Sequence, residues 1–397
     1  MTAALDLART PLPPRARAAA RLAVLDVTEF YGDESGGVRT YLDRKAAYVA
    51  RRPWLRHAVI VPGPHDALDD RDGSRLYRLG GPRVPMRPPY RFMLALRQPR
   101  RIVEHERPDV VEIGSPGLVP WVVRFATRHA DTPLVHYWHS HYPRMIGGPA
   151  WSYARCLDRR FDVTIGASAY VVRELAAAGI DRVVRIPLGV DVACFHPMRR
   201  AHADATRDRL GLPRDVPIAL YVGRFAREKR LDVLLRAWPA VRRRTGARLV
   251  LLGAGPERHA LAPLADAAGA IWRPFEHDRA RLADVVAASD LAVTASPIET
   301  FGLTVLEALA SATPVLAPDH GGAAELVDRS GGGALFEAGR ADALADAAVA
   351  LLERSDDARR SLGMRGRAHA EREHAWEHVL DRLFALYAEV AEERWRR

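Results

Sequence analysis

Short apolar runs alternate along this chain with longer segments in which apolar positions recur every three to four residues. The runs at 21–27, 58–61, 110–113, 134–137 and 163–165 predict strands in the first half. Those at 218–222, 248–252, 291–294 and 314–317 predict strands in the second. Strands alternating with amphipathic helical patterns from end to end predict a parallel α/β architecture. The polar segment between the halves, with prolines at 197 and 213, predicts a linker. The expected organisation is a disordered basic extension over 1–20, an α/β domain over 21–197, a linker over 198–214 and a second α/β domain over 215–375. An amphipathic helix follows over 376–397. Two such halves facing each other would form a cleft, a common place for a ligand.

Length agrees with two domains, since 397 residues exceed one ordinary core. A hydrophobic fraction of 48% and a charged fraction of 27% are those of a soluble globular chain. The net charge of +10 comes almost wholly from arginine and is weak support for an anionic substrate or membrane surface. The two cysteines, Cys156 and Cys194, have no metal-ligand spacing, and a reducing cytoplasm suits them. The basic stretch 9–21 lacks the apolar region of a signal peptide. No segment approaches the roughly 20 apolar residues that span a bilayer, so membrane contact is expected to be peripheral.

The most informative segment is Ser296-Pro-Ile-Glu-Thr-Phe-Gly-Leu-Thr-Val-Leu-Glu307. Glu299 falls in the loop after a strand, where open α/β sheets bind ligands. Gly302 then opens an apolar helix carrying Glu307, a carboxylate that needs a partner there. The amides at that helix start suit an anion. Carboxylates for sugar hydroxyls beside amides for phosphate point to a nucleotide-sugar site. Tyr221-Val-Gly-Arg-Phe-Ala-Arg-Glu-Lys229 adds cationic groups directly after another strand. There Arg224 suits bidentate phosphate contact and Lys229 acts as a point charge.

Other segments are less specific. Leu252-Gly-Ala-Gly-Pro-Glu257 is a turn in which Gly253 would let a ribose or base approach the backbone. Gly36 and Gly37 would do the same for a ligand at a helix start, with Arg39 serving the anion or solvent. His139, directly after a strand, is placed to orient the sugar near the reacting carbon, with His141 in reserve. A metal reading of this His-Ser-His pair lacks a third ligand. Asp70 and Asp72 lie among Asp66, Asp69 and Arg71, and a solvated polar loop is the expectation there. Neither GxGxxG nor a Walker lysine motif occurs.

With these residues in place, the chain resembles the family 4 glycosyltransferases over about 21–390. The resemblance implies the retaining GT-B fold of two Rossmann-like α/β domains facing across a cleft, the first binding acceptor and the second the nucleotide sugar. It implies that Gly223, Arg224 and Lys229 bind the donor diphosphate, that Glu299 contacts the hexose and that Glu307 contacts the ribose. The backbone around Phe301, Gly302 and Leu303 would close on the phosphates. Ile186-Pro-Leu-Gly-Val-Asp191 with Phe195 and Pro197 is similar to the family's stretch before its linker. Gly321, Gly322 and Glu325 are similar to its later Gly-Gly…Glu-Leu segment, while Thr313 replaces the usual glycine before Pro314. The last helix would cross back onto the first domain. The stretch from Phe30 to Thr40 is similar to bacterial mannosyltransferases acting on phosphoinositol lipids.

The function implied is transfer of a hexose from GDP-mannose or a UDP-hexose to a hydroxyl of a lipid-linked, glycan or small-molecule acceptor, with no obligatory cofactor and no metal. The motifs offer no carboxylate for a covalent intermediate, so same-face substitution is the expected route. A cytoplasmic protein at the inner face of the plasma membrane follows, with peripheral contact to anionic lipid and no nucleic-acid partner. A sugar-nucleotide 2-epimerase and a non-catalytic sugar-nucleotide sensor are the rival readings.

Overall fold

The computed structural model describes residues 12, 21–32, 36–84, 90–139, 143 and 148–395. The extension 1–20, Leu12 apart, lies outside these, as do Glu34, Ser35 and His141. The chain divides into two compact units. One comprises Met1–Ala167, Val171–Ile186 and Val379–Arg397; the other comprises Ser168–Tyr170 and Pro187–His378.

The first unit is built on β1 (Leu22–Val27), β2 (Leu55–Gly63), β3 (Ala67–Arg71), β4 (Ser74–Gly80), β5 (Val110–Ile113), β6 (Leu134–Trp138), β7 (Val163–Gly166) and β8 (Val183–Arg185). They form one sheet in the order β3-β4-β2-β1-β5-β6-β7-β8. All neighbours pair in parallel except β3 and β4. Strands β1, β2 and β5 are buried at every position, which is why their sequences are near-continuous apolar runs. Strand β2 begins earlier than its apolar run because Arg56 and His57 are buried with partners. Arg56 donates to the Glu106 carbonyl, and His57 bonds to Asp26 and Ser74.

The acidic segment 66–72 is not the solvated loop expected. Ala67–Arg71 is a strand that pairs antiparallel with β4, with Asp70 opposite Arg75 and bonded to it at 3.0 Å. Asp72-Gly73 makes the two-residue turn between them, and Gly73 has φ +70°. Asp-Gly is a strong hairpin signal, masked here by the surrounding charge.

The second unit contains β9 (Ile218–Val222), β10 (Arg248–Leu252), β11 (Ile271–Arg273), β12 (Leu291–Val293), β13 (Val315–Pro318) and β14 (Gly333–Phe336). Their order is β11-β10-β9-β12-β13-β14, parallel throughout. This is the doubly wound arrangement, with its reversal of strand order between β9 and β12. The helix Leu231–Thr245 covers the sheet with Leu234, Trp238 and Val241, all fully buried, and stops where Gly246 turns left-handed. Trp238 Nε1 donates to the Ala247 carbonyl at 3.3 Å, so its polar edge is satisfied in the core.

The division between the units falls at Ile186–Pro187 rather than within 198–214. That expected linker folds instead as the 3-10 turn Pro197–His202 and the helix Ala203–Arg209. Its polar side chains are not solvated, because its arginines have structural partners in the second unit. Arg200 and Arg207 donate to the carbonyls of Ala287, Ala288 and Ser289 and pair with Asp290, while Arg199 pairs with Asp284. Cations at the carboxyl end of the helix Arg279–Ala287 also oppose its dipole. The final helix, Trp376–Trp395, contributes Val379 onward to the first unit, where Phe384 stacks on Tyr48 at 5.1 Å.

Candidate functional site

Ligands of doubly wound sheets sit where strand order reverses, beyond the carboxyl ends of the strands. In the second unit that place is flanked by the turn after β9, which carries Gly223 and Arg224, and by the loop after β12, which carries Glu299. Lys229, on the 3-10 turn Arg227–Lys229, forms an ion pair with Glu299 Oε1 across 70 positions of sequence. Both side chains keep about a fifth of their surface exposed, 24% for Lys229 and 19% for Glu299. Arg224 is exposed and has no ion-pair partner among the described residues. The two strongest sequence motifs therefore converge at the Lys229–Glu299 pair.

The loop holding Glu299 is fixed by the next strand-to-helix turn. Gly322 N donates to Glu299 O at 2.7 Å. A Cβ on Gly321 would lie 2.9 Å from Pro297 O, and one on Gly322 would lie 2.6 Å from Thr300 O. Only glycine permits that approach. Ser168 Oγ donates to Thr300 O at 2.6 Å, and Glu325 Oε2 accepts the amides of Ala169 and Tyr170 at 2.7 and 3.2 Å. Gly321, Gly322 and Glu325 thus hold the Glu299 loop and its surroundings.

Gly302 adopts φ +101° and caps the helix Leu303–Ala310, whose first amides have no side-chain cap. Phe301 is buried against His374, with ring centroids 5.6 Å apart, so its backbone is what it can offer a ligand; Leu303 is half-buried. Glu307 is buried and accepts from Arg279 Nη2 at 2.6 Å. Burial pushes the Glu307 carboxyl above its ordinary range, and Arg279 opposes the shift. Arg279 also lies over the Phe195 ring at 4.8 Å. Sequence reasoning demanded a partner for Glu307 and did not find Arg279, which starts a helix 28 positions earlier.

The turn that carries Gly253 packs against the turn after β9. A Cβ there would stand 1.9 Å from Gly223 O, and one on Gly255 would stand 2.2 Å from Phe225 O. These glycines are spent on packing the two turns against each other, with Phe225 N donating to Ala254 O at 2.8 Å.

In the first unit, strand order reverses between β1 and β5. Gly36 precedes the helix Gly37–Ala50, which has no side-chain cap, and a Cβ on Gly36 would meet nothing within 4 Å. His139 follows β6 and stacks on Tyr137, with centroids 4.3 Å apart and planes at 7°. Burial pushes its imidazole down to about 3, so it is neutral at pH 7.

Beneath these loops lies a buried ionic cluster that sequence reasoning missed. Asp26 on β1 and Glu112 on β5 are register partners. Lys45 Nζ bonds to Asp26 Oδ1 at 2.9 Å and to the Tyr387 hydroxyl at 2.7 Å, and lies 3.5 Å from Glu112. Tyr41 donates to Glu112 at 2.9 Å, and Tyr387 donates to it as well. Burial alone would raise the Asp26 carboxyl, but Lys45 and His57 outweigh it and hold it well below its usual range. Burial and the neighbouring Asp26 push Glu112 up to about 8 against the pull of Lys45. A signal was present, since each is the lone carboxylate in a buried strand run and needs a partner. Among the described residues no three His, Cys, Asp or Glu side chains gather as a metal-holding group.

Comparison with known proteins agrees with this geometry. Residues 203–369 match the family described as glycosyl transferases group 1, and residues 35–193 match glycosyltransferase family 4. A GDP-mannose-dependent alpha-mannosyltransferase of Mycolicibacterium smegmatis is 32% identical over 356 residues, covering 84% of this chain and 89% of its own. A GDP-mannose-dependent alpha-(1-6)-phosphatidylinositol dimannoside mannosyltransferase of Mycobacterium tuberculosis is 29% identical over 358 residues, 87% and 91% of the two chains. Among solved structures, sucrose-phosphate synthase from Thermosynechococcus elongatus superposes with a TM-score of 0.77 at 22% identity, covering 93% and 99%, a likeness of fold. These relatives are transferases, which sets the epimerase and sensor readings aside.

Proposed function

This chain belongs to the family 4 glycosyltransferases, and we propose that within that family it is a retaining mannosyltransferase using GDP-mannose and a lipid-linked acceptor. The observation that carries the reading is the Lys229–Glu299 pair at the β9/β12 reversal, with the exposed Arg224 in the turn that leaves β9. The GDP-mannose dependence of the mycobacterial relatives supports this donor over a UDP-hexose. The phosphatidylinositol mannoside acceptor of one of them supports a lipid-linked acceptor over a free sugar.

In this reading the donor diphosphate draws Lys229 away from Glu299 and is held by Lys229, Arg224 and the amides that begin the helix Leu303–Ala310. Positive charge and oriented dipoles then meet the negative charge that grows on the leaving group. Glu299, released from its cation, accepts hydrogen bonds from mannose hydroxyls. Glu307, oriented by Arg279, accepts from the ribose. The bond from the anomeric carbon to the β-phosphate oxygen breaks, and the acceptor oxygen bonds to the same face. The acceptor's proton passes to the departing phosphate. His139, neutral and stacked in place, orients the sugar without carrying charge. The diphosphate is met by protein cations, so no resident cofactor enters. The place of action is the cytoplasmic face of a membrane.

The test is release of nucleoside diphosphate by the purified chain from GDP-mannose, UDP-glucose and UDP-galactose, with and without bacterial lipid extract. GDP release that rises with extract and yields a mannosylated lipid is expected. Turnover confined to a UDP-sugar would overturn the donor, and mannose transfer to water-soluble glycans alone would overturn the acceptor.

A further inference from the structure

We propose that Tyr221 is a positioning residue of the donor site, whose buried hydroxyl clamps the Arg224–Phe225 peptide and so fixes the point from which the Arg224 guanidinium reaches the donor diphosphate. The inference deepens the reading of Arg224 given above and rests on it. Tyr221 is the fourth residue of β9 and is 2% exposed, while the other positions of that strand are apolar. A hydroxyl buried in such a strand is costly unless it is bonded. Its one hydrogen bond among the described residues goes to the site: it donates to Arg224 O at 3.0 Å. Glycine permits the reach, since a Cβ on Gly223 would stand 2.8 Å from the hydroxyl oxygen.

That bond completes the hold on one peptide plane. Arg224 O also accepts the Ala226 amide at 3.1 Å. Phe225 N, in the same plane, donates to Ala254 O at 2.8 Å. On the other side of Arg224, Gly223 N donates to Leu252 O at 3.1 Å. A planar peptide held at its oxygen and its nitrogen leaves the Arg224 Cα little freedom to move. The side chain that starts there is exposed and has no ion-pair partner among the described residues, so the backbone alone sets where it begins.

The hydroxyl is a dependable donor. Burial pushes it well above its ordinary range, and the charges of Glu299 and Glu228 add to the shift, so the proton stays in place at every working pH. A bond between Tyr221 and a backbone oxygen therefore holds the Arg224 turn equally well whether or not Lys229 is paired with Glu299. A misplacement of about 1 Å in a group that meets the leaving diphosphate is enough to cost on the order of 100-fold in rate, which is why a clamp on this turn bears on catalysis.

The test is a double-mutant cycle of Tyr221→Phe and Arg224→Ala in the full chain. It is read in nucleoside diphosphate release from GDP-mannose and from UDP-glucose with bacterial lipid extract, and in GDP and UDP affinity by calorimetry. Phenylalanine keeps the ring and leaves Arg224 O with the Ala226 amide, so the melting temperature should move by no more than about 4 °C. Tyr221→Phe should lower kcat/KM about tenfold, by the same factor from about pH 6 to 9. In the Arg224→Ala background the same change should lower it by no more than about twofold, because its effect passes through the missing guanidinium. Diphosphate affinity should show the same coupling. A wild-type rate and affinity in Tyr221→Phe, or equal losses in both backgrounds, would overturn the positioning role and leave Arg224 in the site. Unchanged rate and affinity in Arg224→Ala would overturn the reading of Arg224 and this inference with it. Coupling in affinity without release from any sugar would uphold the clamp and overturn the transferase reading instead.

Discussion

Replacing Glu112 by glutamine should change how stability depends on pH. Glu112 is about 1% exposed, accepts from Tyr41 at 2.9 Å and from Tyr387, and lies 3.5 Å from Lys45. Asp26 already holds that lysine at 2.9 Å, so one lysine faces two buried carboxylates and the second keeps its proton. The Glu112 carboxyl rises from an ordinary 4.5 to about 8. Between these values the folded protein binds a proton that the unfolded chain releases, so this group's contribution falls as pH rises. The slope is at most about 1.4 kcal/mol per pH unit, on the order of 4 kcal/mol across the window. Glutamine keeps the shape and carries no titrating proton. Urea unfolding of both proteins from pH 5 to 8.5 would measure the difference. Glu112→Gln should gain on the wild type steadily as pH rises and should be the more stable of the two at pH 8. A stability difference that stays flat over that range would refute the protonated Glu112.

Three further outcomes follow from the second unit. Lys229→Ala should lower kcat by roughly 100-fold to 1000-fold with an unchanged melting temperature, through loss of charge on the leaving group; a wild-type rate would remove Lys229 from the site. Gly322→Ala places a Cβ 2.6 Å from Thr300 O and should cost about 1–3 kcal/mol in urea unfolding together with most activity; wild-type stability and rate would show that the loop yields. Arg279→Met strips Glu307 of its counter-charge, so that carboxyl rises further. GDP affinity by calorimetry should then fall about tenfold at pH 7 and recover as pH rises, and a deficit constant with pH would refute the argument.

Much of the fold was legible because a strand buried on both faces must be a short apolar run, as β1, β5, β9 and β10 are. The edge strands β8, β11 and β14 were not legible, being three or four residues long and only partly buried. β3 was hidden by aspartates whose partners, Arg71 and Arg75, lie within its own hairpin. The arginines of 199–207 looked like a solvated linker because a helix end and its carbonyls are invisible until the chain folds.

The candidate site divides along the same line. Glu299, Lys229 and Arg224 could be picked out because each stands just beyond a strand run, and parallel strands place such positions at one sheet edge. Which of them meet depends on β9 lying beside β12, an order that no local pattern carries. Tertiary structure alone paired Lys229 with Glu299 and Arg279 with Glu307, and packed Gly253 against Gly223. It alone enclosed Asp26, Lys45 and Glu112 together. Periodicity records whether a position is buried, whereas the partner of a buried charge comes from strands and helices that the chain brings together from far along its length.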